Sequence, residues 1–330
     1  MFQSFSRRAL ATTALAALAV AAVAGPAGAQ EAYPAREIRI ICGYAAGTGA
    51  DVIVRIFADR LRPLTEGKPI IVENKPGALT QLAAEQVKNA RPDGYTLFIT
   101  AGNSTMSANP HLYKNIKYDP LKDFAPVTTL IKLPFMVVVA PQSPINSMKD
   151  LETHLKSKGE KGTYGYPNTF SQVATELYKT RLGLKPLGVA YNATPQSIPD
   201  LAKGDLDFVI SDATFLLNQS RQGLVKPLAV TTAKRSSLAP DVPSMEDVGI
   251  KDYDLSAWWA AWFPAGTPQP IVDKMAGWLN QIVPQEDTKK ALNNVGAEPW
   301  LGNTKVLADH VQADLKLWGE IIKLAKIEPQ

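Results

Sequence analysis

Glu37-Ile38-Arg39-Ile40-Ile41-Cys42-Gly43 leads into Tyr44-Ala45-Ala46-Gly47-Thr48-Gly49-Ala50, and then into a segment from Asp51 to Leu64. The first piece is a β-rich run and reads as a strand. The last carries apolar residues at Val52, Ile53, Ile56 and Phe57, the spacing of one helix face. Between them the glycines let the backbone turn sharply and approach a ligand closely. A strand, a glycine loop and a helix in this order open a parallel α/β unit.

Working outward, the alternation continues. Pro69–Glu73 reads as a strand and Thr80–Asn89 as a helix. Tyr95–Thr100 is a strand announced by the turn Pro92-Asp93-Gly94. A proline-punctuated connection from Tyr118 to Pro134 leads to a second series. Its strands are Phe135–Val139, Thr163–Tyr166, Phe208–Ser211 and Val225–Thr231, and its helices are Ser147–Lys158, Phe170–Leu182 and Thr194–Ala202. The apolar run Trp258–Phe263 and three helices close the chain. Alternation at this spacing predicts parallel sheets built from βαβ units. The helical tail is expected to return to the first series, which gives a discontinuous domain of residues 30–131 and 254–330 around a second domain, 132–253.

Upstream of residue 30 the chain reads as an export signal. Arg7 and Arg8 precede an Ala/Leu/Val run from Ala9 to Ala24, and Ala27-Gly28-Ala29 offers a small-residue cleavage site. The run is short for a membrane span. Ser6-Arg7-Arg8 hints at twin-arginine export, but the rest favours ordinary secretion to the periplasm. No other segment reads as transmembrane, so the mature protein is expected to be soluble. The formal net charge is only +4, two of it from Arg7 and Arg8, and no basic cluster suits a nucleic acid. Cys42 is the one cysteine. It excludes an internal disulfide, and its apolar neighbours predict a buried small hydrophobe.

In open α/β sheets ligands bind beyond the C-terminal ends of the strands, so the loops after strands carry the interest. Helices that start there point N–H groups outward and suit anions. One such loop is Tyr44–Asp51. Others are Glu73-Asn74-Lys75-Pro76-Gly77-Ala78-Leu79-Thr80, Thr100-Ala101-Gly102-Asn103-Ser104-Thr105, and Gly165-Tyr166-Pro167-Asn168-Thr169-Phe170-Ser171. Gly47-x-Gly49-x-x-Val52, with Glu73 closing the next strand, is a damaged dinucleotide fingerprint. It makes an exported NAD(P)-dependent oxidoreductase the competing reading. Asp51 is better explained as a charge at the positive end of its helix, with Arg55 as its partner one turn on. His111, His154 and His310 are far apart and show no metal-ligand spacing, and no nucleophile elbow or phosphate-cradling lysine loop is present. Asn168, Thr169 and Ser171 also suit N-cap positions. No catalytic residue, cofactor or metal is expected.

A long series of ordered motifs carries a resemblance. They include Tyr33-Pro34, Tyr44-Ala45-Ala46-Gly47 with Asp51 and Arg55, Val72-Glu73-Asn74-Lys75-Pro76-Gly77-Ala78, and Pro92-Asp93-Gly94-Tyr95-Thr96-Leu97. Further on stand Asp123-Phe124-Ala125-Pro126-Val127, Leu228-Ala229-Val230-Thr231, Pro240-Asp241-Val242-Pro243-Ser244 and Pro264-Ala265-Gly266-Thr267-Pro268. From about Tyr33 onward the chain resembles the periplasmic solute receptors of tripartite tricarboxylate transporters, the TctC or Bug type.

The resemblance implies a type II periplasmic-binding-protein fold: two α/β lobes joined by crossing strands, with a small organic carboxylate held in the cleft between them. It also implies delivery to integral membrane transporter subunits, and we expect a monomer. Carried over by position, the ligand-binding residues are Tyr44, Ala45, Gly47, Thr48 and Gly49, then Ala78, Leu79, Thr80 and Asn103 on the first lobe. On the second they are Asn168, Thr169, Phe170, Ser171, Ser211 and Asp212. This chain departs from the family at Thr48 and Thr80, where glycine is usual, at Gln172, where histidine is common, and at Asn192-Ala193. Asp212 beside a carboxylate would call for a hydroxyl or amine on the ligand.

Overall fold

The long strand β4, Phe124–Val139, organises the molecule. Its first part pairs antiparallel with β9, Ser256–Pro264, from Phe124↔Pro264 to Pro134↔Ser256. Beyond Pro134 it changes partners. Phe135 to Val138 pair with β7, Phe208–Asp212, and Met136 to Val139 pair with β8, Lys226–Val230. The sequence reading began this strand only at Phe135. Pro126 and Pro134 obscured the rest, since proline cannot donate to a ladder and is tolerated mainly at edges and bulges. Pro126 does sit at a register shift, with a second one at Thr129/Ile131, and Pro134 sits at the change of partner.

The structure is a computed structural model and describes residues 33–191, 193–251, 253–324 and 327–329; side chains 79 and 169 are also outside it. The expected signal at 1–29 therefore lies outside the described residues. From Arg36 onward the chain forms one contact-rich unit. Its first strands, β1 (Ile38–Cys42), β2 (Ile70–Asn74) and β3 (Thr96–Ala101), pair in parallel as β2-β1-β3. Strand β9 joins β3 to β4 by antiparallel pairing on both sides, so the expected parallel sheet is a mixed one of order β2-β1-β3-β9-β4. Past β4 the sheet continues as β7, β5 (Thr163–Tyr166) and β6 (Leu187–Ala190), with parallel β5 contacts on both sides. A two-residue strand, β10 (Glu298–Pro299), pairs with β4 at Lys132 and Ile131. Among the described residues no helix is long and apolar enough to cross a membrane.

Helices follow the strands in the predicted alternation at α1 (Gly49–Leu61), α2 (Gln81–Lys88), α4 (Met148–Lys158), α5 (Thr169–Leu182) and α6 (Thr194–Lys203), with the short α3 (Asn109–Leu112) added after β3. Then come α7 (Ala213–Arg221), α8 (Gln269–Ile282), α9 (Glu286–Asn294) and α10 (Thr304–Leu324). Local chemistry sets their ends. Ser147 caps α4 by accepting Asp150 N–H at 3.1 Å, while Asp150 accepts Asn146 N–H at 3.0 Å. Met148, Leu151 and Leu155 then form the buried stripe. Asn168 caps α5, and Gly183 ends it at φ 65, a left-handed conformation glycine adopts without strain.

Four elements had no counterpart in the sequence reading: β6, α7 and the short α3 and β10. All four residues of β6 are exposed, so its Leu-Gly-Val-Ala shows no alternation. Helix α7 packs Ala213 and Leu216, but Phe215, Leu216 and Leu217 run together and hide the helical period. Trp258 and Trp262, read as core residues, are each 1% exposed, and burial of such side chains contributes roughly 1.5–3 kcal/mol apiece. Helix α10 lies on β4 and on a π-helical turn at Asn103–Ala108, and its Trp318 ring reaches Phe170 of α5 at 5.7 Å.

Candidate functional site

The loop between β1 and α1 is held by its own acid. Asp51 Oδ2 accepts Gly47 N–H at 2.8 Å and Arg55 Nε–H at 2.9 Å, and Asp51 Oδ1 accepts Asn74 Nδ2–H at 2.8 Å. Asn74 Nδ2 also donates to the Tyr44 carbonyl at 2.9 Å. Burial alone would raise this carboxyl; Arg55, Asn74 and the Gly47 amide outweigh it and hold the pKa at about 2. Thr48 uses its hydroxyl within the loop, donating to the Ala45 carbonyl at 2.7 Å and accepting Asp51 N–H at 3.3 Å. Ala45, Gly47, Thr48 and Gly49 are exposed. The structural role read for Asp51 is what the side chain does.

The loop after β2 brings a strained residue to the site. Thr80 is buried with φ 74, a left-handed conformation that costs a β-branched residue on the order of 1–3 kcal/mol. It stands where the resemblance leads one to expect glycine. Thr80 Oγ1 lies 2.7 Å from Thr105 Oγ1, which lies 3.0 Å from Thr100 Oγ1. A side chain at Gly43 would meet Thr80 Cβ at 2.9 Å, so this threonine sits on the glycine that follows β1. Ala78 is exposed at φ 44, and the side chain of Leu79 lies outside the described residues. Asn103, 5% exposed, accepts Trp258 N–H on Oδ1 at 3.3 Å. Trp258 in turn donates its indole N–H to Asp314 at 2.9 Å.

The first turn of α5 contains no acid. Asn168 Oδ1 accepts Ser171 N–H at 2.9 Å. Ser171 is fully buried, and its hydroxyl has no hydrogen-bond partner among the described residues. A buried hydroxyl left so is uncommon and calls for an explanation. Phe170 packs on Phe135 with ring centroids 4.2 Å apart. The side chain of Thr169 lies outside the described residues.

Tyr44, Thr80, Asn103, Asn168 and Phe170 line one cavity of about 360 Å³, although they come from four separate loops. Gly49 and Asp212 line a different one, of about 710 Å³, with Arg221, Asn218 and Asn293. The two share no lining residue, and Tyr44 of the smaller stacks on Trp259 of the larger at 5.3 Å. Asp212 is the N-cap of α7: Oδ1 accepts Phe215 N–H at 2.9 Å, and burial raises its carboxyl above the ordinary range. Ser211 is fully buried and lies 2.7 Å from the Thr194 hydroxyl. The predicted site residues did not include Phe135, Ala257, Leu112 and Trp318, nor Ala101, Ser104, Ala108 and Asn109 around Asn103, all of which line the smaller cavity. Phe135 was legible only as the first residue of a strand; Trp318, far away on α10, carried no local signal.

The three histidines lie apart from one another, each in its own surroundings. His154 lies 2.7 Å from Asp207, His111 lies 2.8 Å from the Leu315 carbonyl, and His310 stands between the Trp258 and Trp300 rings, 4.7 Å from each. Among the described residues no group of three His, Cys, Asp or Glu could hold a metal. Cys42 is buried and its thiol is raised by that burial. Glu73, the acid of the damaged dinucleotide pattern, accepts from Gln86 at 2.8 Å.

The family model described as TctC, tripartite tricarboxylate transporter family receptor, matches residues 53–327. The periplasmic binding protein BugD has 30% identity and a TM-score of 0.69, with 90% of this chain and 100% of that one covered. An R. palustris protein solved with adipate has 28% identity and a TM-score of 0.73, over 90% and 100%. MatC from Rhodopseudomonas palustris, solved with bound malate, has 27% identity and a TM-score of 0.68, over 88% and 100%.

Proposed function

The chain belongs to the tripartite tricarboxylate transporter family of receptors, and from that premise we propose that it is a periplasmic receptor for a small organic carboxylate. It captures the ligand in the cavity beside β4 and delivers it to integral membrane transporter subunits, working as a monomer and without chemistry of its own. The family is one of receptors, and its fold is the type II periplasmic-binding-protein fold. The export signal read at residues 1–29 supports the compartment. The observation that carries the reading is the cavity itself. Tyr44, Thr80 and Asn103 come from loops ahead of β4, whereas Asn168 and Phe170 come from the helix start beyond it.

We take residues 30–131 with 254–330 as one lobe and 132–253 as the other, hinged where β4 and β9 cross. A ligand touching both favours the closed state, because only there are all its contacts made. The helix start at Asn168 suits a carboxylate, since backbone N–H groups and the helix dipole meet negative charge there. Small-angle scattering with and without saturating ligand tests the clamp: the radius of gyration should fall on binding. Calorimetry tests the charge: the acid should bind far more tightly than its neutral amide. An unchanged radius rejects closure, and equal affinity for acid and amide rejects a carboxylate receptor.

A further inference from the structure

Phe135, Phe170, Trp318 and Ala108, with Leu112 and Ala257 packed against them, form one apolar cluster, and all six line the smaller cavity. Its remaining lining groups are neutral hydroxyls and amides, with Tyr44 and Ala101. None of the described residues lining it carries a charge at neutral pH. Behind the wall the ionisable group bonded to Trp258 is an acid, Asp314. Lys132, a cation whose charge acts on Asp314, does not line the cavity and lies over the Trp300 ring at 4.7 Å and beside Asp254 at 4.0 Å. Arg221 lines the other cavity, on the far side of the Tyr44–Trp259 pair.

We propose that this receptor selects a monocarboxylate with an apolar body, an aryl or branched-alkyl acid, and discriminates against di- and tricarboxylates. The inference rests on the reading of the smaller cavity as the carboxylate site. One carboxylate can be held by N–H groups and hydroxyls at the start of α5 without a cation. A second would face phenyl and indole rings with no partner, and a buried, unpaired charge is strongly disfavoured. An apolar body instead removes the aromatic wall from water and packs on its rings. The volume, about 360 Å³, is at the small end of ligand pockets and suits one ring or a short branched chain.

Calorimetry on the full mature protein with benzoate, phenylacetate and isovalerate, against adipate, malate and citrate, tests this. At least one apolar monocarboxylate should bind about 100-fold more tightly than any of the three polycarboxylates. Leu112→Arg should narrow that ratio at least about tenfold by improving adipate. If that variant does not fold cooperatively, Ala257→Arg places the cation on the same wall. Adipate, malate or citrate binding the unaltered protein as tightly as the aryl acids overturns the inference and leaves the carboxylate receptor standing. A preference that neither arginine variant narrows overturns the assignment to this wall. Failure of all six acids to bind, or benzamide binding as well as benzoate, overturns the carboxylate reading beneath it.

Discussion

The N-termini of α1 and α5 look alike as sequence, each a polar turn leading from a buried strand into a helix, yet they are electrostatic opposites. The first carries Asp51, which accepts the Gly47 amide, Asn74 and Arg55 within its own loop. The second is capped by the neutral Asn168 and covers a serine hydroxyl without a partner among the described residues. Both helices present a positive N-terminus. In α1 a resident carboxylate already answers it; in α5 no acid stands in the first turn. A helix N-terminus becomes an anion site only where the chain leaves its charge unanswered, and that is decided by one residue in the first turn.

The largest test removes the resident acid. Asp51→Ala leaves Arg55, Asn74 and the Gly47 amide without their common acceptor, and should cost about 2–3 kcal/mol in urea unfolding at pH 7, Arg55 being half exposed. The cost should depend on pH with a definite sign. The folded pKa, about 2, is below the ordinary value of 3.8, so the stabilisation is present above pH 4 and fades as pH falls through 2. Wild type and variant should therefore converge in acid. A gap independent of pH between 5 and 2 would show that the loop is held by something other than this carboxylate.

A second test makes one helix start resemble the other. Asn168→Asp keeps the cap, because aspartate accepts the Ser171 amide as well as asparagine does. Thermal stability should stay level or rise slightly, as a negative charge at a helix N-terminus contributes roughly 0.3–1 kcal/mol. Carboxylate affinity should fall at least about tenfold, since the new charge occupies the position of the ligand's own. Unchanged affinity in this variant would place the ligand's carboxylate away from α5 and remove the functional half of the contrast.

Why the sequence showed one half of this and not the other is a matter of range. Asp51 and Arg55 are four residues apart on one helix, and their pairing could be read directly. The alternation of strands and helices was legible for the same reason, because it is written in neighbours. The aromatic wall was not. Phe135, Ala257 and Trp318 meet only because β9 pairs antiparallel with β4 and α10 packs on β4. The first half of β4 hid behind two prolines whose tolerance depends on a partner strand more than a hundred residues away. Thr80 is a mixed case. Its departure from an expected glycine was visible, but only the backbone shows that it keeps glycine's left-handed conformation.

The smallest expected effect belongs to Thr48, the other residue standing where glycine is usual. An exposed threonine beside a cleft could add bulk and a hydroxyl to a ligand site. Its hydroxyl is instead engaged with the Ala45 carbonyl and the Asp51 amide, which makes it the N-cap of α1. Glycine is also an acceptable N-cap, so Thr48→Gly should lower stability by only a few tenths of a kcal/mol. Affinity for the carboxylate should change less than about twofold, and the ratio of aryl acid to adipate should not move, because a cap hydroxyl contributes no ligand contact. The measurement is one pair of calorimetric titrations on wild type and variant, alongside a urea curve. A tenfold loss of affinity with unchanged stability would mean that the N-terminus of α1 grips the ligand too. The two helix starts would then be partners across the cleft, and Asp51 would serve to shape a binding loop already facing the anion.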